Sequence, residues 1–89
     1  MKQVSVTISN EYGLHARPAS LLANTASQFT SEIRIVKEGK EVNAKSIMNL
    51  LLLAAGKGTV ILVSADGSDE SDALEAIRFL IEERKFDEK

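Results

Sequence analysis

The hydrophobic period switches repeatedly along this chain between two residues and about 3.6, and that alternation limits the possible folds more than any composition figure. Val4, Val6 and Ile8 alternate with Ser5, Thr7 and Ser9, which predicts a first strand over about residues 2–9. A helical stretch follows from about 16 to 28, with Ala16, Ala19, Leu22, Ala23, Ala26 and Phe29 gathered on one side. Residues 32–37 alternate again, Ile33 and Ile35 against Arg34. Glu38-Gly39 offers a two-residue turn in which glycine supplies the positive φ, and 40–43 returns as a third strand. Over 47–55 every position except Asn49 is apolar, so a helix there would present more than one apolar stripe. Residues 59–65 form a nearly continuous β-branched and apolar run, expected of a central strand covered at least partly on both faces. After the Asp66-Gly67 turn, Ala73, Leu74, Ile77, Leu80 and Ile81 give the core stripe of a last helix. Ser68, Asp69, Glu70 and Asp72 stand at its start and Arg84 and Lys85 at its end, matching the helix dipole. The tail over 86–89 is expected to be loose.

The order β-α-β-β-α-β-α predicts an α+β fold with helices covering one face of a small, mainly antiparallel sheet. A length of 89 residues, 44% of them hydrophobic, suits one domain over 1–89 with one core. There is no cysteine, hence no disulfide framework. The N-terminal residues alternate instead of forming the apolar run of a signal peptide. The longest mostly apolar run, 46–56, is far short of the roughly 20 residues that cross a bilayer, so a soluble protein without membrane insertion is expected. Net charge is −2, and Tyr12, Phe29, Phe79 and Phe86, its aromatic residues, all lie outside the expected strands. Direct nucleic-acid binding, which uses basic grooves and aromatic platforms, is not expected.

Gly13-Leu14-His15-Ala16-Arg17-Pro18-Ala19-Ser20 holds the only histidine and the only proline of the chain. Proline belongs in a first helical turn, which puts His15 just ahead of the helix and leaves the backbone N–H groups of Ala16 and Arg17 free to meet an anion. Arg17 adds a guanidinium fork. A metal site is not expected, since no second histidine or cysteine is present, and nothing nearby forms a catalytic triad. A neutral imidazole could accept a phosphoryl group here; equally, His15 could be a helix-start residue without chemistry. Tyr12 could lie over the site or cover the sheet edge. Ser46 opens the second helical pattern as an N-cap, a place where a phosphate would also be electrostatically favoured.

Gly-Leu-His-Ala-Arg-Pro-Ala at 13–19 resembles the phosphohistidine signature of the HPr family, histidine-containing phosphocarriers of the bacterial phosphoenolpyruvate-dependent sugar phosphotransferase system. Asn43-Ala44-Lys45-Ser46-Ile47-Met48 is similar to the family's regulatory serine signature, and the likeness covers all 89 residues. The resemblance implies an open-faced sandwich: a four-stranded antiparallel sheet in order 1-4-2-3 with three helices on one face. It implies that His15 takes a phosphoryl group on Nδ1 from enzyme I, with Arg17 assisting, and passes it to sugar-specific IIA domains. Ala16 and Arg17 would cradle the phosphoryl oxygens with their N–H groups. Ser20, Leu21, Asn24, Ile47, Met48, Leu51 and Leu52 would form the partner surface. Ser46 would be a regulatory phosphorylation site. Its partners would be an HPr kinase/phosphorylase and a catabolite-control regulator where the host has them. A cytoplasmic monomer without cofactor or independent turnover is implied. Leu52 stands where serine or threonine is usual, Ala54 where glycine is usual and Leu51 where methionine is frequent, which bears on partner choice. Two other readings are a regulatory paralogue acting through protein contacts, as in a nitrogen-related phosphotransfer branch, and an enzyme using His15 as acid or base.

Overall fold

The structure is a computed structural model that describes residues 1–88. Four strands, β1 (Lys2–Thr7), β2 (Glu32–Lys37), β3 (Lys40–Asn43) and β4 (Val60–Asp66), form one antiparallel sheet in the order β1-β4-β2-β3. The helices are α1 (Ala16–Ala26), α2 (Ile47–Leu53) and α3 (Glu70–Arg78). Strand registers place Val4, Val63, Ile35 and Val42 in one row across the sheet, with Val6 beside Ile61 and Ala65 beside Ile33. The alternation seen in the sequence thus becomes one apolar face. Leu22, Ala23 and Ala26 of α1, Leu50 and Leu53 of α2, and Ala73 and Ile77 of α3 are buried in the same core. On the other face of β4 Val60 is exposed, Leu62 half-buried and Ser64 buried, so the strand expected to be covered at least partly on both faces is fully covered on one and partly on the other.

Several boundaries shift for identifiable reasons. β1 ends two residues early, although Ile8 N–H still reaches Thr59 C=O at 2.9 Å. α1 stops at Ala26, after which Gln28 and Phe29 bond only three residues back and tighten the chain. Ala16, expected in the core stripe, is exposed and Pro18 is buried in its place. A helical Cβ leans toward the N-terminus, and beneath a first residue there is no earlier turn to cover it. Leu21, expected on the partner surface, is half-buried against the core. In α2 the inward residues are Leu50 and Leu53, which leaves Ile47, Met48, Leu51 and Leu52 exposed. The helix ends at Ala54 in a left-handed conformation, φ 56° and ψ 42°. Its last carbonyls are met by lysines: Lys40 Nζ donates to Leu52 C=O at 3.0 Å and Lys37 Nζ to Ala54 C=O at 3.1 Å.

Asp69 precedes α3 without capping it. Its carboxylate instead accepts from the N–H groups of Thr30 at 2.9 Å and Ser31 at 3.0 Å, and from the Ser31 hydroxyl. These bonds, the Ser31 hydroxyl foremost, hold its pKa down from 3.8 to about 2. After Arg78 the helix widens into a π turn over Phe79–Glu83, Arg84 N–H bonding Phe79 C=O five residues back at 2.9 Å.

The fold generates two stability predictions. A left-handed alanine is strained by its Cβ, so Ala54→Gly should stabilise the protein by about 1 kcal/mol in urea unfolding. Because the folded pKa of Asp69 is depressed, its contribution is complete above the unfolded pKa, about 4, and is lost as pH falls toward the folded one. Asp69→Asn should accordingly lower stability at neutral pH and flatten the decline between about pH 4 and 2 seen by circular dichroism.

Candidate functional site

His15 is held by the backbone on either side of it. In the loop before it, Asn10 C=O accepts from Gly13 N–H at 3.2 Å, while the buried Asn10 side chain donates through Nδ2 to Gly13 C=O at 2.8 Å. Gly13 has φ 63°, and a Cβ there would lie 2.4 Å from the Ala55 carbonyl oxygen. That same carbonyl accepts from Leu14 N–H at 2.8 Å, so the loop is sewn to the chain just beyond α2. Glycine is required for both reasons: the left-handed turn and the close approach.

His15 is then the residue that caps α1, in extended conformation, with φ −83°, ψ −170° and no side-chain bond to the helix. The first bond of the helical ladder runs from Ala19 N–H to His15 C=O at 2.9 Å, which places Ala16 and Arg17 N–H ahead of the ladder, where the dipole is positive. The imidazole is 41% exposed. Tyr12 lies edge-on to it, ring centroids 6.1 Å apart and planes at 90°, which answers the two orientations the sequence allowed: it is at the site. Glu11, Tyr12, His15 and Glu88 line an open depression.

The tail, expected to be loose, docks onto this site. Phe86 is fully buried, and Lys85–Asp87 form a left-handed turn with φ values of 51°, 55° and 58°. The turn delivers Glu88 to the histidine: Oε1 lies 3.1 Å from His15 Nε2 and 3.1 Å from Asn10 Nδ2, and Oε2 accepts from Arg17 Nη1 at 3.2 Å. Arg17 Nη1 also reaches Phe86 C=O at 3.4 Å. The His15 hydrogen bond is the largest influence holding the Glu88 carboxyl below the usual carboxylate range; Asn10 and Arg17 add to it and partial burial opposes it. Phe86 continues no helical stripe in the sequence, yet its ring is buried in the core, and burying it commits the residues after it. Lys89 lies outside the described residues.

The sequence-expected residues divide between two neighbouring surfaces. His15 lines the depression, and Arg17 and the first N–H groups of α1 follow it directly in the chain. Ser20, Leu21 and Asn24 continue along α1, with Asn24 exposed and the other two half-buried. On α2, Met48 and Leu52 are 65% and 62% exposed, and Ile47 and Leu51 are less so. Ser46 caps α2, its Oγ accepting from Asn49 N–H at 3.2 Å and from Asn49 Nδ2 at 3.0 Å. With a rise of about 1.5 Å per residue, it stands roughly 10 Å along α2 from the end that holds the His15 loop. Asn10 and Glu88 were not anticipated. A polar residue before the histidine motif gave a faint hint of the first; nothing in the local pattern announced the second. Among the described residues no group of acidic, histidine or cysteine side chains could hold a metal ion, and no helix is long and apolar enough to cross a membrane.

The family model described as the PTS HPr component phosphorylation site matches residues 2–83. The phosphocarrier protein HPr of Neisseria meningitidis serogroup A is 49% identical over 81 residues, 91% of each chain. The solved structure of HPr-C-His from Thermoanaerobacter tengcongensis, 49% identical, superposes with a TM-score of 0.95 over 100% of this chain and 99% of that one. An HPr dimer from the same organism is 48% identical, with a TM-score of 0.76 over 96% of this chain and 98% of that one. A matched family model, close relatives over nearly their whole length and the same sheet order together place this chain in the HPr family, the phosphocarriers of the phosphotransferase system.

Proposed function

We propose that this protein carries phosphoryl groups on His15 between enzyme I and sugar-specific IIA domains. The observation that carries the reading is the half-exposed imidazole at the start of α1, unbonded to its own helix and sharing the Glu88 carboxylate with the Arg17 guanidinium. A carrier must give up what it accepts, so its site has to be reachable by two partners in turn and must not enclose the phosphoryl group. The open depression around His15 meets that need. Ala16 and Arg17 N–H and the Arg17 fork are suited to the phosphoryl oxygens. In this reading the chain acts as a substrate of its partners, taking the phosphoryl group from one and yielding it to the next, without turnover of its own.

Ile47, Met48, Leu51 and Leu52 form the apolar part of the docking surface, with Ser20, Leu21 and Asn24 beside it. Methionine and leucine give short-lived contacts that several partners can share. Of the three positions departing from the family pattern, Leu51 and Leu52 are on this surface and Ala54 ends the helix that carries them, so they bear on partner choice and leave the chemistry alone. A single chain presents the whole site, so the monomer is the working form, and a dimer like the solved relative would be an additional state. Phosphorylation of Ser46 by an HPr kinase/phosphorylase would add about 1.5 to 2 negative charges beside Ile47 and Met48, where enzyme I docks, and would slow transfer by repulsion and desolvation. The same modified form is the one a catabolite-control regulator would read.

With phosphoenolpyruvate and enzyme I, the wild type should gain one acid-labile phosphoryl group by intact mass, and His15→Ala none. No adduct on the folded wild type, with enzyme I itself phosphorylated, would sink the carrier assignment. Ser46→Asp should slow transfer from enzyme I by on the order of tenfold, with partial recovery in high salt, as read by rapid-quench kinetics.

A further inference from the structure

The Glu88 carboxylate, 18% exposed, is surrounded by donors. Asn10 Nδ2 and Arg17 Nη1 have hydrogens to give, and the third neighbour is His15 Nε2 at 3.1 Å. An unprotonated Nε2 would turn its lone pair toward carboxylate lone pairs, a repulsive contact; a protonated Nε2 makes a charge-assisted hydrogen bond. The neutral ring then has one free lone pair, on Nδ1. This carboxylate is placed with care: Asn10 is fully buried and fixed by Gly13 C=O, and Phe86 is buried immediately before the arm that ends in Glu88. Three successive non-glycine residues at 85–87 adopt positive φ to deliver it, a conformation that L-residues avoid unless something downstream holds them there.

We propose that Glu88 is a positioning residue for the phosphoryl acceptor: by accepting from Nε2–H of His15 it fixes the tautomer whose Nδ1 lone pair attacks phosphorus. The proposal rests on the reading of His15 as the acceptor. In the step, Nδ1 forms the N–P bond while the bond from phosphorus to the donor's phosphohistidine nitrogen breaks, its electron pair returning to the donor ring. No proton has to leave His15. The Nε2 proton stays between ring and carboxylate, and the positive charge that develops on the phosphorylated imidazole faces Glu88. A cationic ring is the better leaving group, so the same contact keeps the phosphoryl group transferable to the next acceptor. Arg17 is kept beside the ring by Oε2, and of its five N–H donors most remain for phosphoryl oxygens.

The test is ¹⁵N NMR of the histidine ring in the full chain, with no phosphoryl donor present. In spectra recorded on the neutral ring, the wild type should show a single tautomer with the proton on Nε2 and a slowly exchanging ring N–H resonance. Glu88→Ala should lose that resonance to exchange with water and show the Nδ1–H tautomer alongside the other, while the Phe86 ring signals stay in place. Phosphorylation by enzyme I should slow by on the order of tenfold in the same variant. An unchanged tautomer and exchange rate in Glu88→Ala, or faster phosphorylation, would overturn the proposal. Because the tautomer is read without a donor, a wild type that takes no phosphoryl group would count against the carrier reading separately.

Discussion

Everything in this molecule hangs on β4 being hydrogen-bonded on both sides. β1 and β2 flank it antiparallel, and the row Val4, Val63, Ile35 and Val42 runs without interruption across the sheet. Burying that apolar row requires a cover, and three helices supply it from one side. The apolar area removed from water is the main force holding them there, at about 25 cal/mol per Å². The cover also sets where chemistry can be. Helix starts and loops emerge at the rim of the sheet, where backbone groups are free of the ladder and open to an incoming partner.

The His15 loop shows how rigid such a rim can be made. Ala55 C=O meets Leu14 N–H and leaves no room for a side chain at Gly13, while Asn10 closes the loop from inside. The histidine is therefore fixed in backbone and open in side chain, a combination suited to a group that must be approached by one protein and then another. The docked tail adds a third element. A buried phenyl ring anchors a strained turn, and the turn sets a carboxylate against the imidazole and guanidinium. Rigid loop, free helix N–H groups and tail carboxylate come from three separate parts of the chain, so the site is a property of the assembled sheet and its cover.

The same separation explains which features could be read early. The strand and helix order, the hairpin at Glu38-Gly39 and the α3 stripe were legible because each depends on periodicity within a short window, and short-range periodicity decides which face is apolar. The His15-Ala16-Arg17-Pro18 helix start was legible for a similar reason, since proline and the free first-turn N–H groups act locally. The excess of apolar residues on α2 was visible too, but which of them face outward was not. That depended on Leu50 and Leu53 winning the core positions, a competition settled by neighbouring elements.

Asp69 and Glu88 mark the limit. Asp69 occupies a cap position and spends its carboxylate on Thr30 and Ser31, 39 and 38 residues away; Glu88 reaches His15 and Arg17 across 73 and 71. The sequence by itself determined the elements, their order, the apolar face of each strand and the residue types at the histidine motif, because these follow from local backbone preference and burial pattern. Only the tertiary structure decided that the tail closes over the motif, that Asn10 serves it and that a left-handed Ala54 ends α2. These are contacts or strains that exist once distant segments have been brought together, and no local period encodes them.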